Sequence, residues 1–385
     1  MKKLTLLIIA TSILLTGCND SSNNSNSSQD APGIAWEKTY EIGMTNLGAY
    51  VVPADDGGFT TSIEYFDNQS LLNCTILKTG STGDSLWVTT LDGEMICRDF
   101  RTTSDGGYVL VGIIVVWPGM TTDLKLFKLD MNGLVVWQQT FQSPWGAAIG
   151  TSIIETIDGG YTIGVGTSTA GQSLSSELHS YLLKTDAGGD SLWSIFLENI
   201  AATAILETTS DCYAIAGVTD PEGSSDRALN LLQLDDSQAV QWSKSWDIGE
   251  YEFPSELLRT FDGGFAIGGS IMSNLEQQDL FLLKTNSEGD LQWQRFYHDD
   301  DLNYIRGCFL MDDGGYAFAG SSTPSDYTDT QALAIRTNSM GFELWRYRSD
   351  YGNIQVYDAC TAPDGGIVFT GINNGESWLM KLEGE

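Results

Sequence analysis

FDGGFAIGG, residues 261–269, resembles a glycine-rich phosphate cradle when read alone. The stretch recurs, and the recurrence decides its meaning. Asp-Gly-Gly stands at 56–58, 105–107, 158–160, 262–264, 313–315 and 364–366, and Asp211-Cys212-Tyr213 is a degraded copy one residue shorter. Successive Asp residues lie 49, 53, 53, 51, 51 and 51 positions apart. A phosphate cradle occurs once, between a strand and a helix. Here seven copies each run into a β-rich segment such as YVLVG, YAIAG, FAIGG or IVFTG, and no segment keeps a helical period. The glycines are therefore turn residues, supplying the positive φ of a tight hairpin at little steric cost.

The rest of each copy is as regular. A variable loop leads to a strand ending in a motif such as LFKL (126–129) or LLKT (182–185, 282–285). A Gly-bearing turn (STGDSLW, AGGDSLW, SEGDLQW) then leads to Trp, giving Trp36, Trp87, Trp137, Trp193, Trp242, Trp293 and Trp345. This makes four strands per repeat, about 28 in all. A period near 50 over seven copies predicts an all-β fold, a seven-bladed β-propeller of four-stranded antiparallel blades over residues 34–385. The first Trp precedes any Asp-Gly-Gly turn, and the last such turn has no Trp strand after it. IAWEKTY (34–40) should therefore supply the outer strand of the blade made by 352–385 and close the ring, leaving no free sheet edge.

Composition agrees with many short strands and tight turns: 385 residues, 42 Gly, 11 Trp and only 8 Pro. The formal net charge is −32; residues 1–17 hold two Lys and no acid, so the remainder carries −34. Such a surface repels nucleic acid and anionic headgroups. The first residues are MKK followed by an apolar run over 4–15, too short to span a bilayer comfortably. Leu15-Thr16-Gly17-Cys18 resembles the lipobox of bacterial lipoproteins, which implies a signal peptide over 1–17 and lipidation of Cys18. Two or more acyl chains there would anchor the chain stably. Asn19 after the Cys, where Asp commonly directs inner-membrane retention, points to the outer membrane of the cell envelope. Residues 18–33 read as a flexible Ser/Asn-rich tether.

The Trp-bearing unit LLKT…GDxxW is similar to the tryptophan-docking repeat of quinoprotein-like propellers, a group that includes an outer-membrane assembly lipoprotein. The whole unit, DGGY…G…LLKTD..GD..W, resembles uncharacterised bacterial and archaeal surface propellers. The resemblance covers 34–385 and implies architecture, not activity. The quinoprotein and assembly propellers usually have eight blades where seven are counted here. The adjacent cysteines of some quinoprotein dehydrogenases are absent, and Asp186 to Trp193 is too long for a sialidase Asp-box. No cofactor or catalytic residue is carried over.

Residues that repeat are read as structural. The Trp should fill the wedge where outer strands diverge. Small residues (Ala214, Ala216, Ala266, Gly268, Ala317, Ala319) suit crowded second strands. Lys78, Lys128, Lys184, Lys284, Arg336 and Lys381 occupy one position in six repeats, with Gln233 in the seventh. A Lys–Asp cross-strand pair in each blade explains them better than a basic ring gripping an anion, because the turn Asp would neutralise such a ring.

Function is expected in what varies. The longer loops, opposite the Asp-Gly-Gly and Gly-Asp turns, carry Trp117, Trp145, Tyr251, Phe253, His298, Tyr327 and Tyr351, a mixture suited to a protein or glycan binding face. Asp299, Asp300 and Asp301 are a weak Ca²⁺ candidate lacking the alternating ligand pattern; otherwise no cofactor is expected. Cys74, Cys97, Cys212, Cys308 and Cys360 show no disulfide framework and no CxxC. Only His179 and His298 exist, and no GxSxG or HExxH motif appears. The reading is a monomeric, lipid-anchored, non-enzymatic binding or scaffold module for an envelope protein or polysaccharide. The alternatives are a glycosidase or lyase with carboxylates in the central funnel, and an outer-membrane assembly factor.

Overall fold

The computed structural model describes residues 30–42, 45–66, 72–116, 121–142, 147–168, 179–219, 227–274, 277–298, 301–324 and 329–384. Every regular element among them is a strand. β1 is Ile34–Tyr40. The first four-stranded unit is β2 (Thr45–Pro53), β3 (Phe59–Phe66), β4 (Leu72–Thr79) and β5 (Ser85–Leu91). The second is β6 (Ile96–Thr102), β7 (Tyr108–Val116), β8 (Thr121–Leu129) and β9 (Val135–Phe141). The third is β10 (Ala147–Glu155), β11 (Tyr161–Ser168), β12 (His179–Thr185) and β13 (Ser191–Leu197). The fourth is β14 (Ala201–Thr209), β15 (Cys212–Thr219), β16 (Ala228–Leu234) and β17 (Val240–Trp246). The fifth is β18 (Tyr251–Arg259), β19 (Phe265–Asn274), β20 (Gln277–Thr285) and β21 (Leu291–Tyr297). The sixth is β22 (Leu302–Leu310), β23 (Tyr316–Thr323), β24 (Gln331–Thr337) and β25 (Glu343–Arg348). The last is β26 (Ile354–Thr361), β27 (Ile367–Asn373) and β28 (Glu376–Leu382), completed by β1.

The 28 strands fit seven four-stranded antiparallel blades. Units five and six are joined by a single parallel bridge, Gln278 to Leu302. The first strands touch in cyclic order: β2 meets β6, β6 meets β10, and so on to β26, which meets β2 again. β1 runs antiparallel to β28, with Lys38 opposite Leu379 and Tyr40 opposite Ser377. Glu37 reinforces this join. Its Oε1 accepts the indole N–H of fully buried Trp378 at 2.6 Å, the Tyr351 hydroxyl at 2.5 Å and the Asn373 amide at 3.3 Å.

The cores lie between blades, not within them. Ala317, Ala319, Ala332 and Ala334 of the sixth blade pack against Phe369, Trp378 and Met380 of the seventh. Val109, Val111, Leu124 and Leu126 of the second meet Ile153, Tyr161 and Ile163 of the third. Second and third strands are flanked on both faces, so they read apolar on both faces.

The repeated residues hold these layers in register. In the second blade, Asp105 Oδ1 accepts the Gly107 N–H at 3.0 Å and the Thr103 hydroxyl at 2.6 Å, while the buried Lys128 ammonium bonds both carboxylate oxygens. Lys78–Asp56 (2.7 Å), Lys184–Asp158 (2.6 Å), Lys284–Asp262 (2.9 Å), Arg336–Asp313 (2.8 Å) and Lys381–Asp364 repeat the pair. The first glycine of the turn has positive φ, +77° at Gly106. The second is fixed by crowding: a Cβ on Gly107 would lie 2.3 Å from the Leu129 carbonyl oxygen and 2.6 Å from Lys128 Nζ.

The seven Trp sit on outer strands, but six are only half-buried; Trp345 alone is nearly enclosed, at 7% exposure. They do not fill the wedge as whole rings. Instead, one edge lies over the positive-φ glycine of the next blade's Gly-Asp turn. A Cβ on Gly83, Gly133, Gly189, Gly289 or Gly341 would collide with the preceding Trp. Trp36 and Trp137 also donate their indole N–H to Ser81 and Ala187 carbonyls, at 2.8 and 3.1 Å.

Candidate functional site

Each first strand carries a β-bulge, and the bulges build the site. In six of them the ladder slips around one residue: Arg98, Thr151, Thr203, Ser255, Arg306 and Tyr357. A bulge re-aims a side chain and leaves a ladder N–H without its usual partner. All six of these residues line one cavity of about 430 Å³, enclosed by the ring of first strands. In β2 the slip falls nearer the strand's start, between Asn46 and Gly48, and Tyr50 takes the lining position.

The preceding blade satisfies the freed N–H groups. Cys97 N–H donates to Glu64 Oε1 at 2.6 Å, Ala202 to Ser180 Oγ at 2.9 Å, and Ile305 and Val356 to Ser270 and Ser321 Oγ, each at 3.1 Å. Two aspartates of first strands serve the following blade in the same way. Asp99 Oδ2 accepts Ile153 N–H and Asp358 Oδ2 accepts Val51 N–H, both at 2.8 Å.

The cavity mixes cations and carboxyls. Arg101 pairs with Asp99 at 2.9 Å. Asp99, burial, Glu256 and Asp358 all act on Arg101, and the surrounding acids hold its cation firmly protonated. Burial pushes the Glu256 carboxyl up to about 7, against Arg101 and with the help of Asp99. Burial likewise raises Asp358 to about 8, opposed by the Val51 N–H and Arg101, and Glu64 to about 7, opposed by the Cys97 N–H and Arg98. A carboxyl keeps its proton near neutrality when surrounded by protein and only partly reached by solvent. At pH 7 the cavity therefore presents arginines, hydroxyls and partly protonated carboxyls.

A second cavity of about 480 Å³ opens beside the first, between β18 and β22 at the ends away from the Asp-Gly-Gly turns. Exposed Phe253 and Tyr304 line it with Met272, Gln278 and Ser270. Ser255, Ile305 and Arg306 line both cavities.

The structure brings some predicted binding residues together and separates others. Tyr251 and Phe253 are exposed, 47% each, on β18. His298 is largely exposed, with Nδ1 2.7 Å from the buried Asp279 carboxylate and its ring stacked on Phe296. The Tyr351 hydroxyl is engaged by Glu37 at the join of the first and last strands. Asp301 is engaged by Arg348 at 2.6 Å and by the Ser322 hydroxyl at 3.3 Å, so it is not available as a free cation ligand. Trp117, Trp145, Tyr327, Asp299, Asp300 and Cys18 lie outside the described residues. No group of three or more His, Cys, Asp or Glu able to hold a metal ion occurs among the described residues. Cys74, Cys97, Cys308 and Cys360 are buried free thiols, and Cys212 is a partly exposed one.

Sequence reasoning missed the cavity residues. The missing signal was positional. Arg98, Thr151, Ser255, Arg306 and Tyr357 each stand seven residues before an Asp of the repeat, and four residue types over five copies of one position mark a variable site within a fixed frame.

No protein-family profile matches the chain, and no curated relative does. Solved structures match in shape. The chain is similar to the β-propeller domain of the Trilobed protease from Pyrococcus furiosus, described as having an open velcro topology, with 10% identity, TM-score 0.52, and 88% of this chain and 97% of that one covered. It is also similar to a protein of unknown function from Dyadobacter fermentans, with 10% identity, TM-score 0.51, and 92% and 100% covered. Likeness at this identity speaks to propeller-like architecture alone, and here the first strand pairs with the last.

Proposed function

We propose that the chain is a lipid-anchored, seven-bladed propeller of the bacterial envelope that binds polysaccharide without cleaving it. Cys18 would carry the anchor, residues 18–33 the tether, and the long-loop side the ligand. The observation that supports this most is the cleft between β18 and β22: exposed Phe253 and Tyr304 flank a floor of Gln278, Ser270 and Arg306. Aromatic faces beside hydrogen-bonding groups suit a sugar ring, which presents both C–H faces and hydroxyl edges. Photo-crosslinking in cells from residue 253 tests it: recovery of envelope glycan supports the reading. Recovery of outer-membrane assembly proteins instead would move the chain to the assembly class. Label from a fatty-acid analogue should vanish in Cys18→Ala.

A second reading, polysaccharide cleavage, is favoured by Glu256 and Asp358, two carboxyls poised near neutrality about Arg101. Turnover of any envelope polysaccharide that disappears in Glu256→Gln would establish it over simple binding.

A further inference from the structure

We propose that the central cavity is itself a binding site, taking a carboxylate or phosphate group carried on a small polyhydroxylated body such as a sugar acid. It adjoins the aromatic cleft and shares Ser255, Ile305 and Arg306 with it, while Arg98 and Thr151 line the central cavity alone, so variants at those two tell the sites apart.

Charge distribution is the first argument. The chain beyond residue 17 carries −34 and has nine arginines, yet three of them, Arg98, Arg101 and Arg306, line this one cavity. Arg101 is accounted for by Asp99. The other two are not. Arg98 Nε is buried with no hydrogen-bond partner, and Arg306 makes no ion pair or hydrogen bond among the described residues. Glu64, the acid whose proton affinity Arg98 lowers, gives its oxygen to the Cys97 N–H. A buried donor without an acceptor is costly, and guanidinium groups match planar oxyanions in geometry.

The hydroxyl ring is the second argument. Thr151 Oγ1 is buried and unpartnered in the same cavity. Thr203 and Ser255 donate their hydroxyl protons to the Ala216 and Gly268 carbonyls, at 3.3 and 3.2 Å, which leaves oxygen lone pairs as acceptors. The ring of bulged residues thus offers free donors at Arg98, Arg306 and Thr151, and free acceptors at Thr203 and Ser255. Sugar hydroxyls, each both donor and acceptor, would use both kinds. The cavity, at about 430 Å³, falls in the range of small-ligand sites.

The test is calorimetric titration of the full chain in detergent with D-glucuronate, glucose 6-phosphate, inorganic phosphate and glucose. Glucuronate or glucose 6-phosphate should bind at least tenfold more tightly than glucose. Arg98→Gln and Thr151→Val, which line this cavity and not the cleft, should each weaken that binding at least tenfold, and Arg306→Gln, at an exposed side chain without an ion pair or hydrogen bond among the described residues, should weaken it as well with an unchanged melting temperature. Failure of all three anions to bind, or binding indifferent to Arg98→Gln and Thr151→Val, would overturn the proposal. Phosphate binding as tightly as the sugar anions would overturn the hydroxyl ring's part and leave a free inorganic oxyanion as the ligand.

Discussion

At the scale of single residues, the repeat is a buried cation under an exposed acid. Lys128 is 5% exposed, while the Asp105 side chain that faces it is 63% exposed. The asymmetry predicts unequal mutants. Lys128→Met removes a buried charge and leaves Asp105 to water. Asp105→Ala strands the ammonium on the Leu129 carbonyl alone and also removes the acceptor for Gly107 N–H. Uncompensated buried charges cost about 3–5 kcal/mol, which the half-open setting should reduce to about 1–3 for Asp105→Ala. Urea unfolding should rank Asp105→Ala as the more damaging, with Lys128→Met under about 1 kcal/mol; the reverse order would refute the assignment. The degraded blade agrees. Where Cys212 replaces the second glycine, Gln233 replaces the cation, since a Cβ there would occupy the place an ammonium takes elsewhere. This pair could be read from sequence because Asp-Gly-Gly recurs as a unit and the cation stands nine residues before the repeat Trp in five of its six copies.

At the scale of the strand, legibility divides. The Trp spacing fixed β1 to residues 34–40 and assigned it to the last blade, because a seven-fold count left one outer strand missing. Nothing local in IAWEKTY announces Glu37 as a clamp; its partners stand more than 300 residues away. The bulges were equally hidden, since a one-residue slip within a strand follows from how first strands crowd around a cavity, not from strand periodicity. Glu37→Ala should cost about 1–3 kcal/mol by leaving the Trp378 indole N–H buried and unpaired. Glu37→Gln, which keeps an acceptor, should cost less. Equal melting temperatures for Glu37→Ala and the parent would show that the clamp holds nothing.

At the scale of the molecule, the interior shapes how stability follows pH. Glu64, Glu256 and Asp358 hold protons in the folded state up to about 7, 7 and 8, well above where an unfolded chain releases them, near 4. Between those limits the native state binds more protons, so stability falls as pH rises and levels off above about 8. The charged and titratable groups that face them are Asp99, Arg98, Arg101, Arg306, Tyr50 and Tyr357. Melting temperature should drop from pH 5 to pH 8, and Asp358→Asn should flatten the slope. The turn carboxyls act at the other end. For Asp105, Asp158 and Asp262, partial burial is outweighed by Thr hydroxyls, Lys ammoniums and glycine N–H groups, which hold them at about 2. Their contribution is present above pH 4 and lost as pH falls through about 2.

All of this rests on a ring that its own ends close. Amide hydrogen exchange, followed by mass spectrometry on peptides covering 34–40 and 376–382, tests that most directly. The paired register, Ile34 opposite Leu382 through Tyr40 opposite Ser377, predicts slow exchange in both segments, and faster exchange in both when Glu37 is replaced by alanine. Residues 34–40 exchanging within seconds while 376–382 stays protected would contradict the closure and the seven-blade account built on it.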